Sequence, residues 1–344
     1  MIVVGIDPHK RSHTAVALEE ASGASVGERT VSADASGRGE LLAWAAALGG
    51  ACRFAIEDGR PFSGALERSL LAGGYDVVRV PPKLMGQARR SGRTYGKSDP
   101  IDARAVALAA IREPDLPRAR IDPADEQLRL LVEHRNDLVG ERTRMHNRLR
   151  DHLHQLEIGL EVPPGGLERP VWLKRVRTAL EALGPSVRRR IALELVERCA
   201  ELTGAVRALD VELGTLVSGR PDGAALTAIV GCGVLSAATV LAAADGIGRF
   251  ATEARFASHA GVAPLPASSG GRIRHRLNRH GNRQLNAALH RIAFTQARMH
   301  APAKGYLERK RTEGKTRKEA LRCLQRHLAR VVYRTLVTAS VQTT

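Results

Sequence analysis

Residues 2–7 have the sequence IVVGID, an apolar run that ends in a carboxylate. Such a run predicts a short buried strand, because a strand covered on both faces has no polar side. A second run, CRFAI at residues 52–56, is followed in the same way by Glu57. The two runs therefore predict buried strands that place Asp7 and Glu57 at their C-terminal ends.

Strand and helix patterns alternate through roughly the first third of the chain. Predicted strands occupy residues 2–7, 13–19, 25–32, 52–57 and 75–80, and predicted helices occupy residues 38–48, 62–72 and 99–112. Short polar turns join the first three strands, which predicts an antiparallel meander, whereas the later strands follow helices and should be parallel. A meander followed by βα units is typical of an RNase H-like or actin-like α/β domain.

Two further acidic residues begin the third predicted helix. Ser98 is a good N-cap residue, and Pro100 is tolerated in the first helical turn. Asp99 and Asp102 have an i, i+3 spacing, which places both side chains on one helical face. An aspartate pair at a helix start often only interacts favourably with the helix dipole. The pair therefore indicates a functional site only in combination with the other two carboxylates.

The four carboxylates together predict a metal site. Divalent cations such as Mg²⁺ prefer oxygen ligands, and two such ions can clamp a phosphodiester between them. A strand-end aspartate alone is most often a turn or cap residue, but carboxylates from two strands and a helix favour metal binding by Asp7, Glu57, Asp99 and Asp102. Asp58 is an alternative ligand beside Glu57.

The composition indicates a polyanionic partner. The chain has 344 residues with 53 Lys and Arg against 36 Asp and Glu, a net charge of +17. Such a balance predicts binding to nucleic acid or to an anionic surface. Aromatic residues make up 3% of the chain, which favours recognition of backbone and shape over base stacking. With scattered cysteines, no leader pattern and no long apolar run, we expect a cytoplasmic protein without zinc or a membrane span.

Helical patterns dominate the rest of the chain. A heptad pattern over residues 128–156, interrupted by Arg135 and Arg142, and a second apolar pattern over residues 191–216 predict a helical hairpin or coiled-coil stalk. Its packing could be intramolecular or could form a dimer contact. We therefore predict domains at residues 1–115, 124–217 and 218–344.

The predicted C-terminal domain contains two glycine-rich segments. Gly231 and Gly233 separate two short helical patterns, as in a helix-hairpin-helix turn, where backbone N–H groups can approach a DNA phosphate. A glycine pair between helices is also common in plain tight turns. The second segment, SSGG at residues 268–271, is followed by four arginines: Arg272, Arg274, Arg276 and Arg279. A serine in such a field is suited to attack a phosphodiester, because positive charge stabilises the alkoxide and the transferring phosphoryl group, although the composition also fits an ordinary loop.

The order of these motifs resembles the DEDD transposases of the insertion-sequence 110 family, which includes pilin-gene invertases. The motifs are GID at 5–7, IE at 56–57, KSDPIDA at 97–103, GVAP at 261–264, SSGG at 268–271 and HGN at 280–282. The resemblance implies a RuvC-like N-terminal domain, a coiled-coil linker and a helical transposase domain. It also implies that the four acidic residues bind magnesium and that the serine before glycine, Ser269, is the nucleophile, with Ser268 as the alternative one position earlier.

The function implied by this resemblance is site-specific DNA recombination that mobilises an insertion element. The expected partners are DNA at the element ends and target, a structured noncoding guide RNA and further copies of the chain in a dimer or tetramer. Mn²⁺ is expected to substitute for Mg²⁺. Two alternatives stay open: a RuvC-like nuclease that uses water as the nucleophile, and a nonenzymatic basic protein that only binds nucleic acid. An actin-like kinase is disfavoured, because no glycine-rich nucleotide loop follows the first strand.

Overall fold

The protein was analysed as a computed structural model. It describes residues 1–57, 60–81, 84–86, 88, 98–113, 115–120, 122–266, 275–276, 278 and 281–341. Two compact units are formed, Met1–Asp122 and Pro123–Thr344. The first unit is built on a mixed sheet, and the second consists mainly of helices.

The first unit contains a five-stranded sheet with the strand order β3-β2-β1-β4-β5. Its strands are β1 (Ile2–Pro8), β2 (Ser12–Glu19), β3 (Ser25–Ser32), β4 (Cys52–Glu57) and β5 (Asp76–Val80). The first three strands pair antiparallel, while β4 is parallel to β1 and β5 is parallel to β4. The meander followed by βα units is therefore confirmed, and this order of elements is the one predicted for an RNase H-like or actin-like α/β domain.

Helices cover both faces of this sheet. They are α1 (Ala35–Ala47), α2 (Arg60–Ala72) and α3 (Asp99–Arg112). Leu41 of α1 and Leu66 of α2 share a core with Val4 and Ile6 of β1, whereas Val106 of α3 belongs to the core on the opposite face. The alternation of side chains along β1 thus supplies apolar residues to two cores at once.

The first helix begins three residues before the predicted start at residue 38. Asp34 is its N-cap, and the carboxylate accepts a hydrogen bond of 2.9 Å from the backbone N–H of Gly37. Two glycines in the first turns weaken the helical pattern in the sequence. The cap supplies the stabilisation that this pattern lacks.

Two long helices dominate the start of the second unit. They are α4 (Pro123–Gln155) and α6 (Val187–Ser218), with the shorter α5 (Pro170–Glu181) between them. The long helices pack against each other within the chain, which confirms the helical hairpin. The arginines that interrupt the heptads both form ion pairs: Arg135 lies 2.5 Å from Asp210, and Arg142 lies 3.6 Å from Glu168.

Shorter helices complete the second unit. They are α7 (Pro221–Thr227), α8 (Val234–Ala244), α9 (Glu253–His259), α10 (Arg283–Met299), α11 (Ala301–Thr312) and α12 (Arg317–Val341), with a small ladder of β6 (Leu265–Pro266) and β7 (His275–Arg276). Their core includes Leu226, Phe256, Leu289 and Val332. Among the described residues, no helix combines the length and the apolar character needed to cross a membrane.

Candidate metal centre and serine loop

Asp7 and Glu57 lie at the same edge of the sheet. Ile6 of β1 is paired with Ile56 of β4 in parallel register, so the carboxylates that follow are at corresponding positions on neighbouring strands. Asp7 is buried, with 5% of its surface exposed, and Glu57 is half-buried. The fold thus brings together two acidic residues that are 50 positions apart in the chain. Asp58, the alternative ligand, lies outside the described residues.

Helix α3 approaches this edge because β1 contains glycine at position 5. A Cβ atom at Gly5 would lie 2.2 Å from the carbonyl oxygen of Ala103 and 2.4 Å from the backbone nitrogen of Ala107. No side chain fits at such distances, so glycine is required for the helix backbone to rest on the strand. Asp102, which directly precedes Ala103, is buried as a result, with 5% of its surface exposed.

The start of α3 presents the second aspartate of the pair to solvent. Ser98 is the N-cap, as predicted, and its hydroxyl accepts a hydrogen bond from the backbone N–H of Ile101 at 3.5 Å. The helix therefore begins at Asp99, whose side chain is 53% exposed. The i, i+3 pair consequently offers one buried carboxylate, on Asp102, and one accessible carboxylate, on Asp99.

Asp99 and Asp102 influence Asp7 electrostatically. Burial raises the pKa of Asp7 above its ordinary value, the nearby His9 lowers it, and the negative charges of Asp102 and Asp99 raise it. Ionised Asp7 is therefore held in a site that disfavours a further negative charge. Carboxylate oxygens are suitable ligands for Mg²⁺ or Mn²⁺, and a divalent cation would offset this repulsion. The donor set of this edge fits the predicted metal.

His9 is a member of this cluster that the sequence reasoning missed. Its Nε2 atom lies 3.2 Å from Oδ2 of Asp7 and 3.3 Å from Oδ1 of Asp99. One donor atom from each of the three residues lies within 4.8 Å of the others. A signal was available in the sequence: alternation along an extended chain places residues at i and i+2 on the same side, and His9 is two positions after Asp7.

The predicted nucleophiles and most of the predicted arginines fall outside the described residues. These are Ser268, Ser269, Arg272, Arg274 and Arg279, while only the backbone of Arg276 is described, in β7. The ladder pairs Pro266 with His275, so the chain segment that contains both serines connects two antiparallel strands. We refer to residues 267–274 as the serine loop.

The segments before and after the serine loop are in close backbone contact and are joined by hydrogen bonds. A Cβ atom at Gly281 would lie 2.2 Å from the backbone nitrogen of Gly261, which itself has a φ of +68°. The side-chain amides of Asn278 and Asn286 donate hydrogen bonds of 3.1 and 2.9 Å to carbonyl oxygens at the C-terminal end of α9. Two glycines and two asparagines thus hold together the chain before and after the loop.

The predicted glycine turn joins α7 and α8. Gly231 has a φ of +83°, which favours glycine, and packs against Thr295 of α10. Gln296 holds the same turn, because its amide nitrogen donates a hydrogen bond of 2.8 Å to the carbonyl oxygen of Val230. Gly233 is the N-cap of α8 and makes no side-chain cap. The turn itself is therefore confirmed, and contact with a phosphate stays a prediction.

Comparison with known proteins identifies the family. A family model for DEDD transposases of the IS110 type matches residues 4–158, and a model described as transposase of the IS116/IS110/IS902 family matches residues 223–308. A protein of insertion element IS110 from Streptomyces coelicolor is 30% identical over 309 residues, covering 76% of this chain and 75% of its own. The chain belongs to the IS110/IS116/IS902 transposase family. The predicted resemblance is therefore confirmed.

Both candidate regions lie inside the segments that match this transposase family. The first match includes all four acidic residues, and the second includes the glycine turn and the serine loop. Proteins of insertion elements IS116 from Streptomyces clavuligerus and IS900 from Mycobacterium paratuberculosis are each 28% identical, covering 96% of this chain and 94% of their own. The similarity thus extends over nearly the whole chain.

Two solved structures of RuvC from Thermus thermophilus also align with this transposase. One is a complex with a Holliday junction substrate, at 15% identity and a TM-score of 0.28, and the other has 17% identity and a TM-score of 0.27. Each alignment covers 33% of this chain and 94% or 95% of the RuvC chain.

Proposed function

We propose that this transposase is a site-specific DNA recombinase that mobilises its insertion element through a phosphoserine–DNA intermediate. The observation that carries the proposal is the edge of the first-unit sheet, where Asp7 and Asp99 lie close together and the charge of Asp102 acts on Asp7. Glu57 ends the neighbouring strand β4 at the position that corresponds to Asp7. A cluster of buried and half-buried carboxylates repels phosphate unless a cation intervenes, so it has no use in a protein that only holds nucleic acid. This edge supports an enzyme.

The four acidic residues Asp7, Glu57, Asp99 and Asp102 hold the metal in this proposal. Magnesium, or manganese in its place, supplies positive charge at the scissile phosphate when bound there. Asp7 and Asp102 are both buried and are held by a strand and a helix that contact each other directly at Gly5. Such rigid supports suit a site in which the reacting phosphate must be held accurately.

Ser269 is the nucleophile in this proposal. Its hydroxyl oxygen forms a bond to phosphorus as the phosphodiester bond to one deoxyribose oxygen breaks; the serine proton is lost and the departing oxygen is protonated. In the reverse step, a hydroxyl of the exchanged strand attacks the phosphoserine and releases the serine. The phosphodiester energy is conserved, so no nucleotide cofactor is needed. Arg272, Arg274, Arg276 and Arg279 stabilise the charge on the phosphoryl group.

Nucleic acids are the partners in this proposal. The net charge of +17 suits DNA at the element ends and target, and equally suits a structured noncoding guide RNA. Backbone N–H groups of the turn at Gly231 and Gly233 are candidates for contact with a phosphate. Strand exchange needs more than one active site, so we propose a homodimer or homotetramer.

Salt dependence tests the nucleic-acid part of the proposal. Log affinity for duplex DNA should fall linearly with log salt, with a slope of about 0.9 per neutralised phosphate. Arg274→Glu or Arg276→Glu should weaken binding to DNA of any sequence by a similar factor and should reduce the slope of log affinity against log salt. An affinity that does not change with salt would contradict a phosphate-dominated interface.

The second candidate is a metal-dependent nuclease in which water replaces the serine. It is favoured by the fact that β1, β4 and α3, which carry the four acidic residues, all belong to the first unit. In that case Ser269 has only a structural role, and cleavage leaves no protein attached to DNA. The two candidates therefore differ in one product.

Covalent trapping distinguishes the candidates. A nicked suicide substrate, whose released strand diffuses away, should accumulate a protein–DNA adduct that survives a denaturing gel and maps to Ser269 by peptide analysis. Ser269→Ala should bind DNA but form no adduct, whereas its neighbour Ser268→Ala should keep measurable activity. An adduct that maps to Ser268 would move the nucleophile by one residue. Cleavage without any adduct would support the hydrolytic nuclease.

A further inference from the structure

His9 occupies a position that neither the acidic motif nor the serine chemistry explains. Its side chain is 49% exposed, yet a single nitrogen, Nε2, contacts carboxylates from two separate elements. Asp7 is the penultimate residue of β1, and Asp99 begins α3. Nothing about the fold requires the ring at this point, since a half-exposed side chain contributes little to the core.

The distances around Nε2 match the spacing of ligands on one cation. Two ligands at adjacent corners of an octahedral site, each about 2.1 Å from the metal, are about 3.0 Å apart. The two contacts of Nε2 measure 3.2 Å to Asp7 and 3.3 Å to Asp99. Nε2 therefore lies at ligand-like spacing from both carboxylate oxygens, and all three atoms lie within 4.8 Å of one another.

The same distances also fit a charged imidazole that donates hydrogen bonds to both carboxylates. One positive charge cannot balance the four carboxylates of the predicted site, whereas divalent cations can. A charged His9 ring would occupy the place of the metal and weaken metal binding, whereas a neutral His9 ring that coordinates the metal would strengthen it. The two roles thus predict opposite effects of removing the ring.

We infer that Nε2 of His9 is a metal ligand, which together with Asp7 and Asp99 forms a mixed nitrogen–oxygen site. This inference rests on the metal-dependent function proposed above and extends it beyond the four acidic residues. Imidazole nitrogen suits transition metals, while carboxylates alone suit Mg²⁺ and Mn²⁺ equally. The mixed site consequently favours Mn²⁺ over Mg²⁺.

The test uses the full-length protein with Mn²⁺ alone. Electron spin-echo spectroscopy of bound Mn²⁺ should show ¹⁴N modulation from a directly coordinated imidazole in the wild type, and His9→Ala should lose it. Calorimetry should show that His9→Ala lowers Mn²⁺ affinity at least about tenfold, while Mg²⁺ affinity changes less than about threefold. His134→Ala, which removes an exposed histidine from α4, is the matched control and should leave both measurements unchanged.

Each outcome has a separate meaning. If wild-type Mn²⁺ shows no ¹⁴N modulation, or if His9→Ala binds Mn²⁺ more tightly, the ligand assignment is wrong and His9 is a competing charge. Asp7→Asn serves as the check on the proposed function itself. Should it bind both metals as the wild type does, the acidic metal centre would fail independently of His9.

Discussion

The acidic edge of the first unit and the serine loop of the second unit are built in different ways. The acidic edge collects residues from positions 7, 57, 99 and 102, and each belongs to a strand end or a helix start. The serine candidates lie within one connection between two short strands. The comparison shows that the acidic edge depends on the packing of distant segments of the chain, whereas the serine motif is contiguous in sequence and can be read without the fold.

A close backbone contact at glycine is common to both regions. At Gly5 a side chain would collide with the backbone of α3, and at Gly281 it would collide with the backbone at Gly261. The first contact supports the metal centre, and the second holds the flanks of the serine loop. Substitution of each glycine should therefore separate the two regions functionally.

Gly5→Ala is expected to have the largest effect. The new Cβ must push α3 away from β1, which should cost roughly 1–3 kcal/mol or more of stability. Displacement of Asp99 and Asp102 by about 1 Å should reduce strand cleavage at least ~100-fold and weaken metal binding. Chemical denaturation, calorimetry and cleavage assays would measure these effects.

Gly39→Ala is the control for this experiment. Among the described residues, no atom outside the local helix backbone lies within 4 Å of a Cβ atom at Gly39, which is in α1. Alanine there should be neutral or stabilising, because it favours the helix. Retention of full metal binding by Gly5→Ala would show that the helix contact does not position the metal ligands.

Gly281→Ala should affect the serine loop and spare the metal centre. Its Cβ would push against Gly261, so the flanks of the loop must separate. We expect adduct formation to fall about 100-fold for a shift of about 1 Å, with metal affinity unchanged. Gly305→Ala in α11 provides the control, because in the part of the chain that the structure describes no atom beyond the local helix backbone lies within 4 Å of a Cβ atom there. A parallel loss of metal binding would mean that the two regions are not separable.

The sequence predicted the regular elements of the first unit closely. The ends of β1–β5 agree within one residue with the predicted strands. The runs of β1, β2, β4 and β5 are largely buried, whereas β3 is mostly exposed and followed from its short polar connection to β2. The start of α3 followed from Ser98, whose capping role is local and depends on no distant contact. Placement of Asp7 beside Glu57 followed from parallel pairing of their strands.

Other features depend on contacts that a pattern does not contain. His9 was missed because its partners Asp7 and Asp99 are brought to it by the packing of α3 on β1. Arg135 and Arg142 interrupt the heptad pattern because they pair with Asp210 and Glu168, which come from later parts of the chain. Ion pairs between distant residues leave no periodic signal.

Asp7→Asn is expected to have a smaller effect, a modest increase in the stability of the metal-free protein. Since the pKa of Asp7 is raised mainly by burial, its ionised form destabilises the metal-free fold above that pKa. The amide should therefore raise Tm at neutral pH, by about a few degrees, the usual size for a single-site change. This difference should shrink as the pH falls toward the ordinary aspartate pKa.

Scanning calorimetry with and without Mg²⁺ would check this prediction. Added Mg²⁺ should stabilise the wild type by binding the folded state and should leave Asp7→Asn nearly unchanged. Asp76→Asn, at the start of β5, is the control: it removes a carboxylate that pairs with Arg53 at 2.8 Å, so it should lower Tm but keep the wild-type response to Mg²⁺. A lower Tm for Asp7→Asn without metal would show that ionised Asp7 stabilises the fold.

The most direct test of the account is the rate of adduct formation by Asp102→Asn in Mg²⁺. If metal held at the acidic edge assists attack by Ser269, this variant should bind DNA normally yet form the phosphoserine adduct at least about 10³-fold more slowly than the wild type. Addition of Mn²⁺ should not restore the wild-type rate. Adduct formation by Asp102→Asn at the wild-type rate would contradict the claim that the acidic residues and the serine act in one reaction.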